Sequence, residues 1–402
     1  MKIKTIVMLH DEARITGGSA KIAIESAIEL KRQGVDVIFF CGVGEPCREL
    51  IEAGIRTISL NEEHLGRAKQ LKTLFKCLWN LRSYRELRKL LKNLDSESTV
   101  VHIHGWTKSL SSSVFLASYL EGFKTIVTGH DYFSICQNGG LYNYKTEKNC
   151  SLKPGGIRCY LCNCDKRNYI NKLYRNVRHI IQRIIFTITK PCFLFVSSFS
   201  RNLLEPHLNP AHKKYCLCNF VDMSIRDRVP VENNAYYLFI GRVSDEKGID
   251  LFCEAIHNAS VPAFVIGDGA KKNLYEKLYP SIHFVGWKNK SEMAEYLERA
   301  RALIITSKLH ETMGLTAIEM QPFGIPCIIP RECAASEFIE NDHTGLLYSG
   351  KEELYNALHR FRDDDYVKKL SICFYTALDL NMYSLTNYAE ELKKIYNNML
   401  SE

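Results

Sequence analysis

Short apolar runs recur along the chain, separated by stretches long enough to hold a helix. In the first half, strands are expected at 3–9, 35–41, 57–60, 100–104, 125–128 and 193–197. Between the first two, Ile22, Ala23, Ala27, Ile28 and Leu30 recur at helical spacing, and Gly34 follows as a stop. A second series begins at Tyr236, with strands expected at 237–240, 263–266, 283–285, 302–305 and 327–330. Strand, helix, strand at this spacing predicts a parallel sheet covered by helices on both faces. The expected fold is therefore α/β, with two Rossmann-like, doubly wound αβα domains facing across a cleft. Residues 1–216 form the first, and 235–379 the second. The polar stretch 217–234, with Asp227, Pro230, Asn233 and Asn234, reads as a linker. The amphipathic stretch 380–402 is expected to form a helix packing back on the N-terminal domain.

Composition supports two cores and narrows the setting. The chain has 402 residues, 46% hydrophobic and 24% charged, which is ample for two globular domains. No run reaches the roughly 18–20 apolar residues of a membrane span, since 184–196 is broken by Lys190 and Pro191. The apolar start ends at His10, too early for a signal peptide. The expected location is the cytoplasm, extending to the inner face of the cell membrane. A net charge of +8 suits phosphorylated ligands, an anionic membrane or nucleic acid. With no helix-turn-helix, zinc-finger or RNA-recognition signature, nucleic acid is set aside.

In doubly wound sheets ligands sit at the carboxyl ends of strands, so the loops there carry the chemistry. After 237–240 comes Gly241-Arg242-Val243-Ser244-Asp245-Glu246-Lys247-Gly248, then a helix. Two permanent cations beside a helix start suit a diphosphate. Gly267-Asp268-Gly269 and Gly286-Trp287 follow the next two strands, as tight turns with backbone groups to offer. After 302–305 stand Glu311 and Glu319, eight residues apart around Gly314-Leu315, and then Gly324-Ile325-Pro326. Carboxylates that hold hydroxyls, beside amides and cations that hold phosphates, describe a nucleotide-sugar site. The plainer reading of these residues is an ordinary βα loop, a capping Glu311 and a solvated Glu319.

In combination these motifs resemble the retaining glycosyltransferases of family 4, which have the GT-B fold. The resemblance covers nearly the whole chain and is sharpest over 236–349. It implies that Arg242 and Lys247 neutralise the donor diphosphate, that Glu311 holds hydroxyls of the transferred sugar, and that Glu319 binds the ribose. It also implies catalysis without a metal. Donor contacts are expected from Gly241, Gly267, Gly286, Gly314 and Leu315. In the N-terminal half, Gly17-Gly18-Ser19 resembles the family's Gly-Gly loop, read here as a turn capped by Ser19. His130, at a strand's carboxyl end, is placed in the active site, with His102 and His104 supporting it. The reaction implied is transfer of a hexose from a nucleoside-diphosphate sugar to a hydroxyl of a glycan or lipid-linked acceptor, in polysaccharide biosynthesis. The alternatives are a GT-B module that binds nucleotide sugars without transfer, or a GT-B epimerase or phosphorylase.

Two features lie outside that pattern. Cys136, Cys150, Cys159, Cys162 and Cys164 fall in an insert at about 134–168, within 15 cysteines overall. Cys159 and Cys162 form a C-x2-C pair, so Cys136, Cys150, Cys159 and Cys164 are candidate ligands of a structural zinc, against reduced thiols or disulfides. From 169 to 188, Ile170, Leu173, Val177, Ile180, Ile181, Ile184 and Ile188 make one stripe, with Lys172, Arg175, Arg178 and Arg183 elsewhere. Such a helix suits peripheral contact with an anionic membrane, or else an ordinary domain face.

Overall fold

Residues 2–62, 76–224 and 226–401 are described by the structure, a computed structural model. In chain order the first strands are β1 Thr5–Glu12, β2 Asp36–Val43, β3 Arg56–Ser59, β4 Thr99–Ile103 and β5 Lys124–Gly129. A small antiparallel hairpin follows, β6 Tyr142–Asn143 and β7 Lys148–Asn149, and then β8 Cys192–Phe195 and β9 Lys214–Cys216. Apart from the hairpin these strands make one parallel sheet, in the order β3-β2-β1-β4-β5-β8-β9. Its interior strand β1 is buried on both faces, which is why Ile6 to Leu9 run apolar without alternation.

The helix Gly18–Arg32 lays Ile22, Ala23, Ala27 and Leu30 on this sheet. The helix Leu385–Leu400 joins the same core through Tyr388, Ala389, Leu392 and Tyr396. Its start is fixed by Ser384, whose hydroxyl accepts from the Asn387 N–H at 3.1 Å. The carboxyl-terminal helix is thus a structural part of the first sheet's core.

The second sheet contains β10 Tyr236–Ile240, β11 Ala263–Ile266, β12 His283–Gly286, β13 Ala300–Ile304, β14 Cys327–Pro330 and β15 Gly345–Tyr348. All pair in parallel, in the order β12-β11-β10-β13-β14-β15. The order reverses between β10 and β13, the switch point where such sheets bind ligands. Helices Ile249–Ala259, Gly350–Arg360 and Asp364–Thr376 cover it, burying Phe252, Leu354 and Leu370.

The chain divides into two units, 1–139 with 152–220 and 381–402, and 140–151 with 221–380. Two expectations are revised by this division. The hairpin 140–151 lies within the stretch expected to be N-terminal, yet it belongs to the C-terminal unit. The expected linker is also part of a core, because Val229 and Val231 are buried beneath the second sheet. Four strands escaped the periodicity, the hairpin strands β6 and β7 of two residues each among them. The others are β9 and β15, of three and four residues.

Candidate functional site

At the switch point of the second sheet, three loops press backbone against backbone. A Cβ on Gly267 would collide with the Gly241 carbonyl, and one on Gly269 with the Val243 carbonyl. Gly248 has φ +69°, and its Cβ would meet the Thr306 carbonyl oxygen. The Thr306 hydroxyl closes this contact, donating to the Gly248 carbonyl at 2.8 Å and the Lys247 carbonyl at 3.2 Å. Gly248→Ala should therefore cost about 3 kcal/mol or more, from strain plus overpacking. Gly34→Ala has a similar φ of +83° but open space around it, so it should cost only about 1 kcal/mol. Urea midpoints would compare them, and equal losses would refute the close contact.

The clamped loop delivers Lys247, whose Nζ lies 2.8 Å from Glu311 Oε1. The Ser307 hydroxyl also donates to Glu311. Burial pushes the Glu311 carboxyl up, but Lys247, Ser307 and Arg242 outweigh it and hold the group below its usual value. Glu311 is therefore ionised at neutral pH and ready to accept hydroxyl hydrogen bonds. A small cavity of about 30 Å³ opens here, lined in part by Lys247, Ser307, Glu311, Gly314 and Thr316. Arg242 is 67% exposed, with its guanidinium 3.7 Å from buried Glu246.

Gly314 is buried and precedes the helix Leu315–Met320, whose second turn carries the exposed Glu319. Leu315 is half-buried. Gly286 turns at φ +75°, and the N–H of exposed Trp287 donates to Asp268 at 3.0 Å. Three contributors were not anticipated. Ser307 supports Glu311, Glu246 sits under Arg242, and Lys308 bridges Asp250 at 2.7 Å and Glu147 of the hairpin at 3.4 Å. Lys308 has partners distant in sequence, so local spacing carries no signal for it, whereas Ser307 and Glu246 each lie four residues from their partners, a spacing that could have flagged them.

In the N-terminal unit, His130 follows β5 and His104 follows β4. His104 Nδ1 and His130 Nε2 share a hydrogen bond of 2.9 Å, with rings stacked at 5.1 Å. Burial, then the charge of His10, lowers His130 to about 3, so its ring is neutral at physiological pH. Asp131 follows His130 in the chain. Its carboxylate accepts from the Phe133 N–H at 2.9 Å and caps a turn, while burial raises it to about 6. His102 is held on both sides, by Tyr396 at 2.6 Å and Thr128 at 2.7 Å.

Gly17 is the N-cap and Gly18 the first residue of its helix, so Ser19 lies inside the helix instead of capping it. The Ser19 hydroxyl is 3.3 Å from His10 Nε2. A Cβ on either glycine would meet nothing within 4 Å, leaving the backbone open to a ligand. Beside this loop a cavity of about 610 Å³ is lined by Glu12, Arg14, Thr16, Gly44, Asn61 and Lys108, among others.

The cysteines do not assemble the expected zinc site. Among the described residues no three His, Cys, Asp or Glu side chains gather to hold a metal, and the cysteines carry no disulfide. Side-chain amides engage two of the thiols instead. Cys159 donates to Gln137 Oε1 at 3.3 Å, and Cys164 accepts from Asn138 Nδ2 at 3.1 Å. Cys136 is buried, and Cys150 belongs to the hairpin segment of the other unit.

Two doubly wound parallel units, one with cations and carboxylates at its strand ends, define the GT-B class. The solved structure of Anabaena HepE in complex with UDP has this fold, with a TM-score of 0.68 at 13% identity, covering 98% of this chain and all of that one. Residues 16–225 match Glycosyltransferase Family 4, and 222–372 match Glycosyl transferases group 1. The chain belongs to glycosyltransferase family 4. It is 31% identical over 114 residues to an uncharacterized 41.2 kDa protein in the cps region of Klebsiella pneumoniae, covering 27% of this chain and 31% of that protein. Over 184 residues it is 26% identical to the Escherichia coli UDP-Gal:alpha-D-GlcNAc-diphosphoundecaprenol alpha-1,3-galactosyltransferase, covering 42% and 46%. The chain thus spans a third to a half of the length of these curated relatives. No helix among the described residues is long and apolar enough to cross a membrane.

Proposed function

We propose that the protein transfers a hexose from a nucleoside-diphosphate sugar to a hydroxyl of a glycan or lipid-linked acceptor, with retention at the anomeric carbon. The observation that carries this reading is the ionised Glu311 held by Lys247 beside Arg242. A carboxylate suited to sugar hydroxyls adjoins two cations suited to a diphosphate. Support for the donor comes from structural neighbours solved with UDP and UDP-glucose. The acceptor class follows the lipid diphosphate named for the Escherichia coli relative, and polysaccharide assembly is the setting in which such products are used.

In this reaction the bond from C1 to the diphosphate oxygen breaks, and a bond from C1 to the acceptor oxygen forms on the same face. The acceptor proton passes to the departing diphosphate. Arg242 and Lys247 stabilise the charge that develops on that leaving group, and Glu311 orients the sugar through its hydroxyls. Glu319 holds the ribose. Neutral His130 hydrogen-bonds the substrate near its reacting hydroxyl and stays uncharged throughout.

A panel of nucleotide sugars, scored by thermal stabilisation and by hydrolysis, tests this reading. At least one should stabilise the wild type by several degrees, and Arg242→Ala and Glu319→Ala should each weaken binding about tenfold or more. Equal responses from wild type and both variants across the whole panel would refute it.

A further inference from the structure

The helix Tyr169–Thr189 is built inside out. Its buried side carries Lys172, Asn176, Arg178, His179 and Gln182, with only Ile185 and Phe186 as apolar company, while Ile170, Leu173, Val177, Ile180, Ile184 and Ile188 are between 45% and 77% exposed. At 100° per residue those six fall in one narrow stripe along a helix about 31 Å long. Ile157 and Leu161, on the short helix Ile157–Leu161 beside it, are exposed as well. Nearly half of the exposed large apolar side chains among the described residues lie within 157–188. An ordinary domain helix buries such a stripe.

The orientation is fixed by polar contacts on the inner side. Arg178 donates to the Thr107 carbonyl at 3.1 Å and lies over the Phe133 ring at 5.0 Å. Gln182 donates to the Phe133 carbonyl at 2.9 Å and accepts from the Trp106 indole at 3.0 Å. Asn176 donates to the Tyr160 carbonyl at 2.8 Å, and Lys172 to Gln137 at 3.3 Å. Rolling the stripe inward would orphan all of these groups, at a cost of about 1–3 kcal/mol each. The apolar side therefore faces out in the folded chain.

Charge selects what covers it. Between 153 and 190, Lys153, Arg158, Lys166, Arg167, Arg183 and Lys190 are exposed, and the one acidic residue, Asp165, is buried against Arg175 at 3.1 Å. A second copy meeting this face symmetrically would set cations against cations. An anionic bilayer offers acyl chains for the stripe and headgroups for the flanking cations. We infer that the Tyr169–Thr189 helix lies in the surface of an anionic membrane, with its isoleucine stripe among the acyl chains and its flanking arginines and lysines at the headgroups. This surface extends the proposed lipid-linked acceptor, yet its test uses neither donor nor acceptor. Its failure would leave the donor reading untouched.

The experiment is co-sedimentation of the full chain with vesicles of phosphatidylglycerol and phosphatidylethanolamine, against vesicles of phosphatidylcholine alone. The anionic vesicles should bind at least tenfold better. The pair Ile180→Asp and Ile184→Asp should lose at least tenfold, and Arg167→Glu with Arg183→Glu severalfold, at unchanged melting temperature. Should the aspartates cost folding, Ile184→Ser alone should still lower binding severalfold. Equal binding to both vesicle types, or binding unaffected by these changes, overturns the inference. So does a wild-type dimer in gel filtration that Ile184→Ser converts to monomer, because the face would then belong to a second copy.

Discussion

Lys247→Ala is expected to lower kcat/KM for the donor sugar by about a thousandfold, or about 4 kcal/mol of transition-state stabilisation. Two losses combine in this variant. The departing diphosphate loses a cation held in place by a glycine-clamped loop. Glu311 loses its ion pair at 2.8 Å, the strongest influence keeping its carboxyl low against burial. With burial then less opposed, the carboxyl rises, and activity of the variant should fall at a higher pH than that of wild type. Glu311→Gln should cost a similar factor, because the two side chains work as one pair. The double variant should be far less than additive. Lys247→Arg keeps the charge but not the geometry and should recover only part of the rate. Steady-state kinetics decides the matter, and a Lys247→Ala enzyme within tenfold of wild type would contradict this role.

A second large effect is expected from acid. His102 and His130 are lowered to about 3 and His179 to about 4, chiefly by burial, and burial also holds His104 well below its usual value. Each is neutral when folded, whereas the unfolded chain takes up a proton near pH 6.5. Below that value the unfolded state binds more protons, so stability falls with falling pH. At pH 5 each such histidine removes up to about 2 kcal/mol. Asp131 works the other way. Raised to about 6, it binds its proton earlier when folded and returns roughly one histidine's share. All four histidines belong to the N-terminal unit. That unit should therefore lose its melting transition between pH 6.5 and 5, while the C-terminal unit holds. Calorimetry across this range tests it, and a first transition that does not move would exclude the buried neutral histidines.

Much of this architecture is legible in the chain because parallel strands bury both faces. Runs such as Ala263–Ile266 and Cys327–Pro330 announce themselves as apolar blocks followed by turn residues. The donor-side residues are legible for a related reason, since they sit in the loops directly after those blocks. What stays hidden depends on contacts distant in sequence. No local pattern reveals that Lys247 pairs with Glu311, or that His104 meets the ring of His130. The stripe on Tyr169–Thr189 is plain from spacing, but periodicity cannot say which side turns inward. That was decided by Thr107, Phe133 and Gln137, which only the fold brings to the helix. The cysteine spacing was misleading for a similar reason, since Gln137 engages Cys159 of the C-x2-C pair and Asn138 engages nearby Cys164.

The glycines packed against the Gly241, Val243 and Thr306 carbonyls have a genetic consequence. Every single-base change in the first two positions of a glycine codon yields a stop or a residue with a Cβ, and alanine is the smallest of these. At Gly267, Gly269 and Gly248 even alanine collides with backbone. These three codons therefore have no silent neighbourhood beyond their third base, and a random mutational scan should recover almost no active missense variants there.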